Sequence, residues 1–369
     1  MRTEAAILWE AATDWSVEEI ELDAPRSGEV LVRLAASGMC HSDEHLVTGD
    51  LPVIRPVIGG HEGAGVVEEV GPGVSDLQPG DHVVFGFVAA CGMCPACATG
   101  HSNLCDTGAR LQAGLQMDGT SRHHARGRDL HAMVCLGTFS RHTVVNQASC
   151  VKIAPDIPLD LACLVGCGVT TGWGSAVYAA QVHPGENVAV IGIGGIGSCA
   201  VQGARLAGAE RIFAVDPVPF KRDMAVTFGA THTAPSIKEA FGLIREVTWG
   251  RMADKVICCV GVGSGDAMAS IMALCAKLGR VVVTNIHPVS EMNVTINFCD
   301  LTLMEKQVVG SLFGSANIRR DIPKLLELYR EGQLDLERLV TARYPLSGIH
   351  DGYQDLRDGK NIRGVLVYD

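Results

Sequence analysis

The stretch from 187 to 216 constrains this chain more than any other. NVAVI (187–191) is a compact apolar run, GIGGIG (192–197) follows it directly, and SCAVQGARLAGA (198–209) has the make-up of a helix. RIFAV (211–215) is a second buried run, closed by Asp216. In a chain with 43 glycines, G-x-G-x-x-G alone says little. Set between a strand and a helix, with an acid ending the next strand, it is the fingerprint of a dinucleotide-binding βαβ unit. Gly192 permits the tight turn, Gly194 lets the backbone approach a pyrophosphate, and Gly197 allows close helix–strand packing. Gly195 and Ile196 complete the loop, and the helix N-terminus favours phosphate charge. Asp216 can accept both ribose hydroxyls and would repel a 2′-phosphate, which favours NAD(H) over NADP(H). KVICCV (255–260) and RVVVTN (280–285) continue an alternation of buried strands and helices, the pattern of a parallel, doubly wound sheet.

Before residue 169 the rhythm differs. EVLVRLAA (29–36) alternates apolar with polar or small positions and predicts a half-buried strand. GVVEEV (65–70) and DHVVFGF (81–87) are short β-branched runs bounded by Gly, Pro and Asp, as in a barrel-like or sandwich-like domain. Near the end, Ile322, Leu325, Leu326 and Tyr329 mark one face of an amphipathic helix, and RGVLVYD reads as a final strand. With 369 residues, 47% apolar and 19% charged, the chain can bury the cores of two domains. Lys and Arg number 30 against 41 acids, a net charge of −11, which argues against nucleic acid or an anionic membrane as the main partner. No apolar run reaches the ~20 residues of a membrane helix. MRTEAAILWEAATDW lacks the apolar core of a secretory signal, so the expectation is a cytoplasmic chain with reduced thiols. Its 14 cysteines then call for metal, a nucleophile or plain packing.

Cys91, Cys94, Cys97 and Cys105 give C-x2-C-x2-C-x7-C. Four thiolates make a closed tetrahedral shell that suits a structural zinc and leaves no position for chemistry. An iron–sulfur cluster uses a similar run. Disulfide pairs are disfavoured in a reducing compartment. A DNA-binding zinc finger would want more basic neighbours than His101 and Arg110. A second group is scattered. Cys40 lies in SGMCHSDEH, His61 in GHEGAGVVEEVGPGV and Cys167 in LVGCGVTTGWG. Two sulfurs and one nitrogen from separate segments would leave a fourth position for water or substrate, as catalytic zinc does.

CHSDEH, GHExxG, the four-cysteine lobe, DGTSR (118–122), GTFSRHTVV (137–145), GCGVTTGWG and GIGGIG occur in an order that resembles the zinc-dependent alcohol dehydrogenases of the medium-chain dehydrogenase/reductase superfamily. The resemblance runs from the first strand to the last residues. It implies a mostly β GroES-like catalytic domain, 1–168 and 313–369, carrying the structural zinc lobe 91–105. A Rossmann domain, 169–312, would lie between. It also implies two zinc ions and NAD(H), with the catalytic zinc held by Cys40, His61 and Cys167. Glu62 would be an alternate ligand behind the metal, and Asp43 would orient His61. Ser42 and His45 would relay the alcohol proton to solvent. Thr171 would line the nicotinamide pocket, Lys221 would touch the adenosine ribose, and Arg363 the pyrophosphate. His41 departs from the family, where Arg is common, and a largely neutral histidine weakens that grip. Val88, Phe85, Val289 and Phe313 are candidate pocket residues.

The expected reaction is hydride transfer between a primary alcohol or aldehyde and NAD(H), in a homo-oligomer. CHSDEHLVTGDLP, LVGCGVTTGWGSAV, LFGSANIRRDIPKLLELYR and DGKNIRGV most resemble the nicotinoprotein branch, assayed with N,N-dimethyl-4-nitrosoaniline (NDMA). There NAD(H) stays bound and an external electron acceptor recycles it. The alternatives are a thiol-adduct formaldehyde dehydrogenase and, from another class, a non-catalytic zinc- and nucleotide-binding protein.

Overall fold

The computed structural model describes residues 1–261 and 263–369. They divide into two units. One is Met1–Cys167 with Asn317–Gly332 and Leu336–Asp369; the other is Gly168–Ala316 with Gln333–Asp335.

The short β-branched runs of the first unit form strands β1 (Arg2–Leu8), β2 (Ser16–Leu22), β3 (Glu29–Gly38), β4 (Val57–Ile58), β5 (Glu62–Val70), β6 (His82–Phe85), β7 (His123–Ala125), β8 (Arg128–Ala132), β9 (His142–Asn146) and β10 (Cys150–Ile153). β1, β2, β7, β8 and β4 close a barrel. A second sheet runs β10-β6-β5-β3 and continues into the C-terminal strands Arg363–Val367 and Val340–Pro345. β3 is not the half-buried strand its alternation predicts: of its ten residues only Arg33 is exposed. β5 pairs along one edge, while β9 and Arg363–Val367 share the other. Both faces of β3 are packed: Val30, Val32 and Leu34 enter one apolar cluster, and Leu31 enters another with Leu22 and Val144. The amphipathic helix forms as predicted, Ile318–Arg330, with Ile322, Leu325 and Leu326 buried.

The DGTSR motif has a structural use. Arg122 is buried, with its guanidinium 2.6 and 2.8 Å from the two Glu29 carboxylate oxygens and 2.7 Å from Asp118. It ties the start of β3 to the loop before β7. Removing one member of such a buried pair costs about 3–5 kcal/mol.

The second unit holds a parallel sheet of β11 (Asn187–Ile191), β12 (Arg211–Val215), β13 (His232–Ala234), β14 (Ala253–Cys258), β15 (Cys275–Val283) and β16 (Gln307–Gly310). The order is β13-β12-β11-β14-β15-β16. The alternation of strands and helices thus folds as a doubly wound sheet with its reversal beside β11. Residues 313–316 belong to this unit, four residues past the junction expected at 313. The Gly314 backbone packs so tightly on Thr170, Thr171 and Gly174 that a Cβ there would lie 2.6–2.9 Å from them. Gln333–Asp335 also joins it, because Gln202 exchanges hydrogen bonds with the Asp335 backbone (2.8 and 3.1 Å). Among the described residues no single helix is long and apolar enough to cross a membrane.

Candidate active site and nucleotide site

The helix His41–Thr48 starts at Cys40, whose Sγ caps it by accepting from Ser42 N at 3.5 Å. The cap points the sulfur at the start of β5. There His61, Glu62 and Cys167 complete a group whose ligand atoms all lie within 4.8 Å of one another, every member buried. His61 Nε2 is buried with no hydrogen-bond partner, while its Nδ1 lies 3.2 Å from Asp43 Oδ1. Asp43, fully buried, also accepts from Gly60 N at 2.9 Å. Asp43 therefore fixes the tautomer and leaves Nε2 free as a donor of electrons.

The titration pattern agrees. A hydrogen bond from Cys167, aided by His61, holds the Cys40 thiol well below its usual range despite burial. Cys167 is pushed up in turn by Cys40 and by burial. Burial would lower His61, but Asp43 and the Cys40 sulfur raise it well above the ordinary value. Burial raises Glu62, against the pull of Arg363. Two sulfurs and an orphaned imidazole nitrogen, all dry, fit a borderline-soft ion and leave its fourth position open, with the Glu62 carboxylate close by.

Arg363 is the clearest departure from expectation. Its guanidinium is buried, paired with Glu62 and donating to Met39 O at 3.1 Å, rather than turned outward toward a phosphate. Its Nε remains without a partner.

Ser42 Oγ lies 3.6 Å from Cys40 Sγ. His45 is buried; its Nε2 has no partner and its Nδ1 lies 3.1 Å from Asp50 Oδ2. Sequence reasoning missed Asp50. The signal was Gly49, whose left-handed φ of 84° ends the helix and folds Asp50 back beneath it. His41 is exposed on the first helical turn.

In the lobe, Sγ–Sγ separations of 3.9 Å join Cys91 to Cys97 and Cys94 to Cys105. A tetrahedral shell at 2.3 Å per Zn–S bond has edges of about 3.8 Å. These separations fit a single ion at the centre, are too long for disulfides, and leave no space for a cluster. Backbone N–H groups of Met93 and Cys94 aim at Cys91 and lower its thiol to about 6. The other eight cysteines are free thiols, and of these only Cys299 is exposed.

In the second unit Gly192 turns with φ 85° and abuts the Cys259–Val260 backbone. A Cβ at Gly197 would lie 2.9 Å from the Gly192 carbonyl carbon. The helix Gly195–Leu206 begins at Gly194 with no side-chain cap, and a Cβ at Gly194 would meet nothing within 4 Å. That open N-terminus leaves backbone N–H groups of the kind that can hold a phosphate. Asp216 is buried at the end of β12 and accepts from Ile193 N (2.8 Å) and Val218 N (2.9 Å). It holds the loop, and each oxygen keeps a lone pair for a ribose hydroxyl. Arg222, not singled out from sequence, donates to its carbonyl at 2.7 Å. Lys221 is half-buried on the helix Pro219–Phe228, and Thr171 is buried in Gly168–Gly174. Of the four candidate pocket residues, Val88 is buried and Val289 is exposed. Phe85 is fully buried in the core around β3 and β6, and Phe313 is 1% exposed.

The family Alcohol dehydrogenase GroES-like domain matches residues 26–156, and Zinc-binding dehydrogenase matches 195–331. Alcohol dehydrogenase B of Mycobacterium tuberculosis H37Rv is 53% identical over 370 residues, covering 100% of this chain and 99% of that one. The NDMA-dependent alcohol dehydrogenase of Amycolatopsis methanolica is 50% identical, with coverage of 100% and 99%. Benzyl alcohol dehydrogenase of Acinetobacter calcoaceticus superposes with TM-score 0.93 at 28% identity, each chain covered in full. The fold, the donor sets and full-length identity of half or more all agree: the chain belongs to the zinc-dependent alcohol dehydrogenases of the medium-chain dehydrogenase/reductase superfamily.

Proposed function

We propose that the chain interconverts a primary alcohol and its aldehyde by hydride exchange with NAD(H). The observation that carries this is the buried Cys40–His61–Cys167–Glu62 group around the unpartnered His61 Nε2. Cys40, His61 and Cys167 would hold a zinc ion, which would supply a Lewis acid for the alcohol oxygen, and NAD(H) would supply the hydride carrier. The chain's own residues do the rest. Asp43 holds His61 in its ligating tautomer. Glu62, raised by burial, stands as an alternate ligand that Arg363 steadies. Ser42, beside Cys40, takes the alcohol proton, and His45 accepts it at Nε2. The Nδ1–Asp50 contact leads the proton outward, since the Asp50 side chain is 30% exposed. On the nucleotide side Gly192, Gly194 and Gly197 shape the phosphate cradle, and Asp216 takes the ribose hydroxyls. A second zinc in the four-cysteine lobe is structural.

The similarity to an NDMA-dependent enzyme supports a nucleotide that stays bound and is reoxidised by an external acceptor. β16, at the edge of its sheet with Val308 40% exposed, supports pairing with a second copy. Free thiols throughout suit the cytoplasm.

One purification tests the reading. Metal analysis should find two zinc ions per chain, and nicotinamide should co-migrate with protein through gel filtration. Zinc confined to the lobe overturns the catalytic assignment. Nicotinamide lost on the column, together with rapid turnover of free NAD+, overturns retention.

A further inference from the structure

The reversal of strand order beside β11 creates two halves at the C-terminal edge of the parallel sheet. A dinucleotide lies across such a reversal. Asp216, at the end of β12, takes the adenosine side, so the nicotinamide side falls over β14 and β15. Backbone contacts join these parts. Cys259 N donates to Ile191 O at 2.7 Å, Gly192 abuts Cys259, and Gly263 N donates to Ile286 O at 2.9 Å.

At the end of β15 sits a short polar chain. Asn285 Nδ2 lies 3.1 Å from His287 Nε2, and His287 Nδ1 lies 3.6 Å from Glu291 Oε2. Glu291 is itself anchored, since its Oε1 accepts from Gly265 N at 2.8 Å. The carboxylate favours the proton on Nδ1, so Nε2 accepts from the Asn285 amide. That fixes which end of the amide is presented. Asn285 Oδ1 is buried and has no partner among the described residues. A buried acceptor left unmatched is costly, so it suits a ligand that brings an N–H.

We propose that Asn285 Oδ1, held by His287 and Glu291, accepts a hydrogen bond from the carboxamide NH2 of the cofactor's nicotinamide. The proposal rests on the nicotinamide-nucleotide reading above. Nicotinamide is the part of NAD(H) that carries a primary carboxamide, and adenine, the other amine-bearing base, belongs to the opposite half. Asn285 would thus contribute to holding the cofactor rather than to hydride transfer.

The test uses full-length protein freed of nucleotide, with affinities measured by titration calorimetry. Asn285→Leu should weaken NADH about ten- to a hundredfold. It should leave ADP-ribose, which lacks nicotinamide, within twofold. With the reduced 3-acetylpyridine analogue, whose acetyl group has no NH2, the ratio between wild type and variant should fall close to one. Glu291→Gln, which loosens the clamp but keeps the amide, should give a smaller loss in the same pattern. Unchanged NADH affinity in Asn285→Leu overturns the proposal. Equal losses of NADH and ADP-ribose overturn it as well, by exposing general distortion. If wild type binds neither NADH nor ADP-ribose, the nucleotide reading itself falls.

Discussion

Asp43→Asn separates the charge at Asp43 from its shape. The side chain is fully buried, and one oxygen serves two neighbours: Gly60 N at 2.9 Å and His61 Nδ1 at 3.2 Å. Asparagine keeps the volume and a carbonyl oxygen for the Gly60 N–H, so the fold should survive. What disappears is the negative charge that, with Cys40, offsets the burial of His61 and strengthens it as a ligand. Replacing such a partner costs about 10–100-fold in metal affinity, or about 1.4–2.8 kcal/mol. Asp43→Ala also orphans the buried Gly60 N–H, adding a stability loss of about 1–3 kcal/mol. The assay is zinc release to a colorimetric chelator under native conditions. The four-cysteine lobe, built from other segments, is the internal reference. Asp43→Asn should release one zinc faster and the other at the wild-type rate. Wild-type release of both would refute the reasoning, and loss of both would reassign Asp43 to the fold as a whole.

Two other perturbations probe separate claims. Ser42→Ala should lower turnover about 10²–10⁴-fold with zinc content unchanged, as expected for a lost proton-transfer group; near-normal rates would exclude the relay. His123 is buried, its pKa lowered from 6.5 to about 4 by burial and by His124 and Arg122. Its folded pKa lies below the unfolded one, so the unfolded chain binds the extra proton. Stability is then fully present above pH 6.5 and drains away as pH falls toward 4, by about 3 kcal/mol. In urea unfolding from pH 7 to 4, His123→Gln should flatten the profile by that amount; parallel profiles would show that His123 is not the group responsible.

Local patterns were readable because their geometry is local. CxxC spacing folds two thiols to one side of a turn, so Cys91, Cys94, Cys97 and Cys105 could be grouped without a structure. The GIGGIG turn is equally short-range. The scattered group needed the family resemblance, because nothing in the spacing of Cys40, His61 and Cys167 brings them together. The misread features share a cause. β3 alternates like a half-buried strand, yet apolar residues from distant segments pack on both of its faces. Phe85 looked like a pocket residue because an apolar side chain carries no mark of which cavity it faces.

By itself, then, the sequence determined the domain types, the four-cysteine donor set and the nucleotide fingerprint. These rest on turns, helix starts and strand periods that span a few residues. Only the tertiary structure decided what those residues do beyond their motifs. It turned Arg363 inward onto Glu62, 301 positions away, folded Asp50 under His45, and spent DGTSR on a buried clamp at Glu29. Each of these is a contact between charged or polar groups removed from water. Such groups must find partners wherever the fold brings them, and sequence distance carries no information about which partners those are.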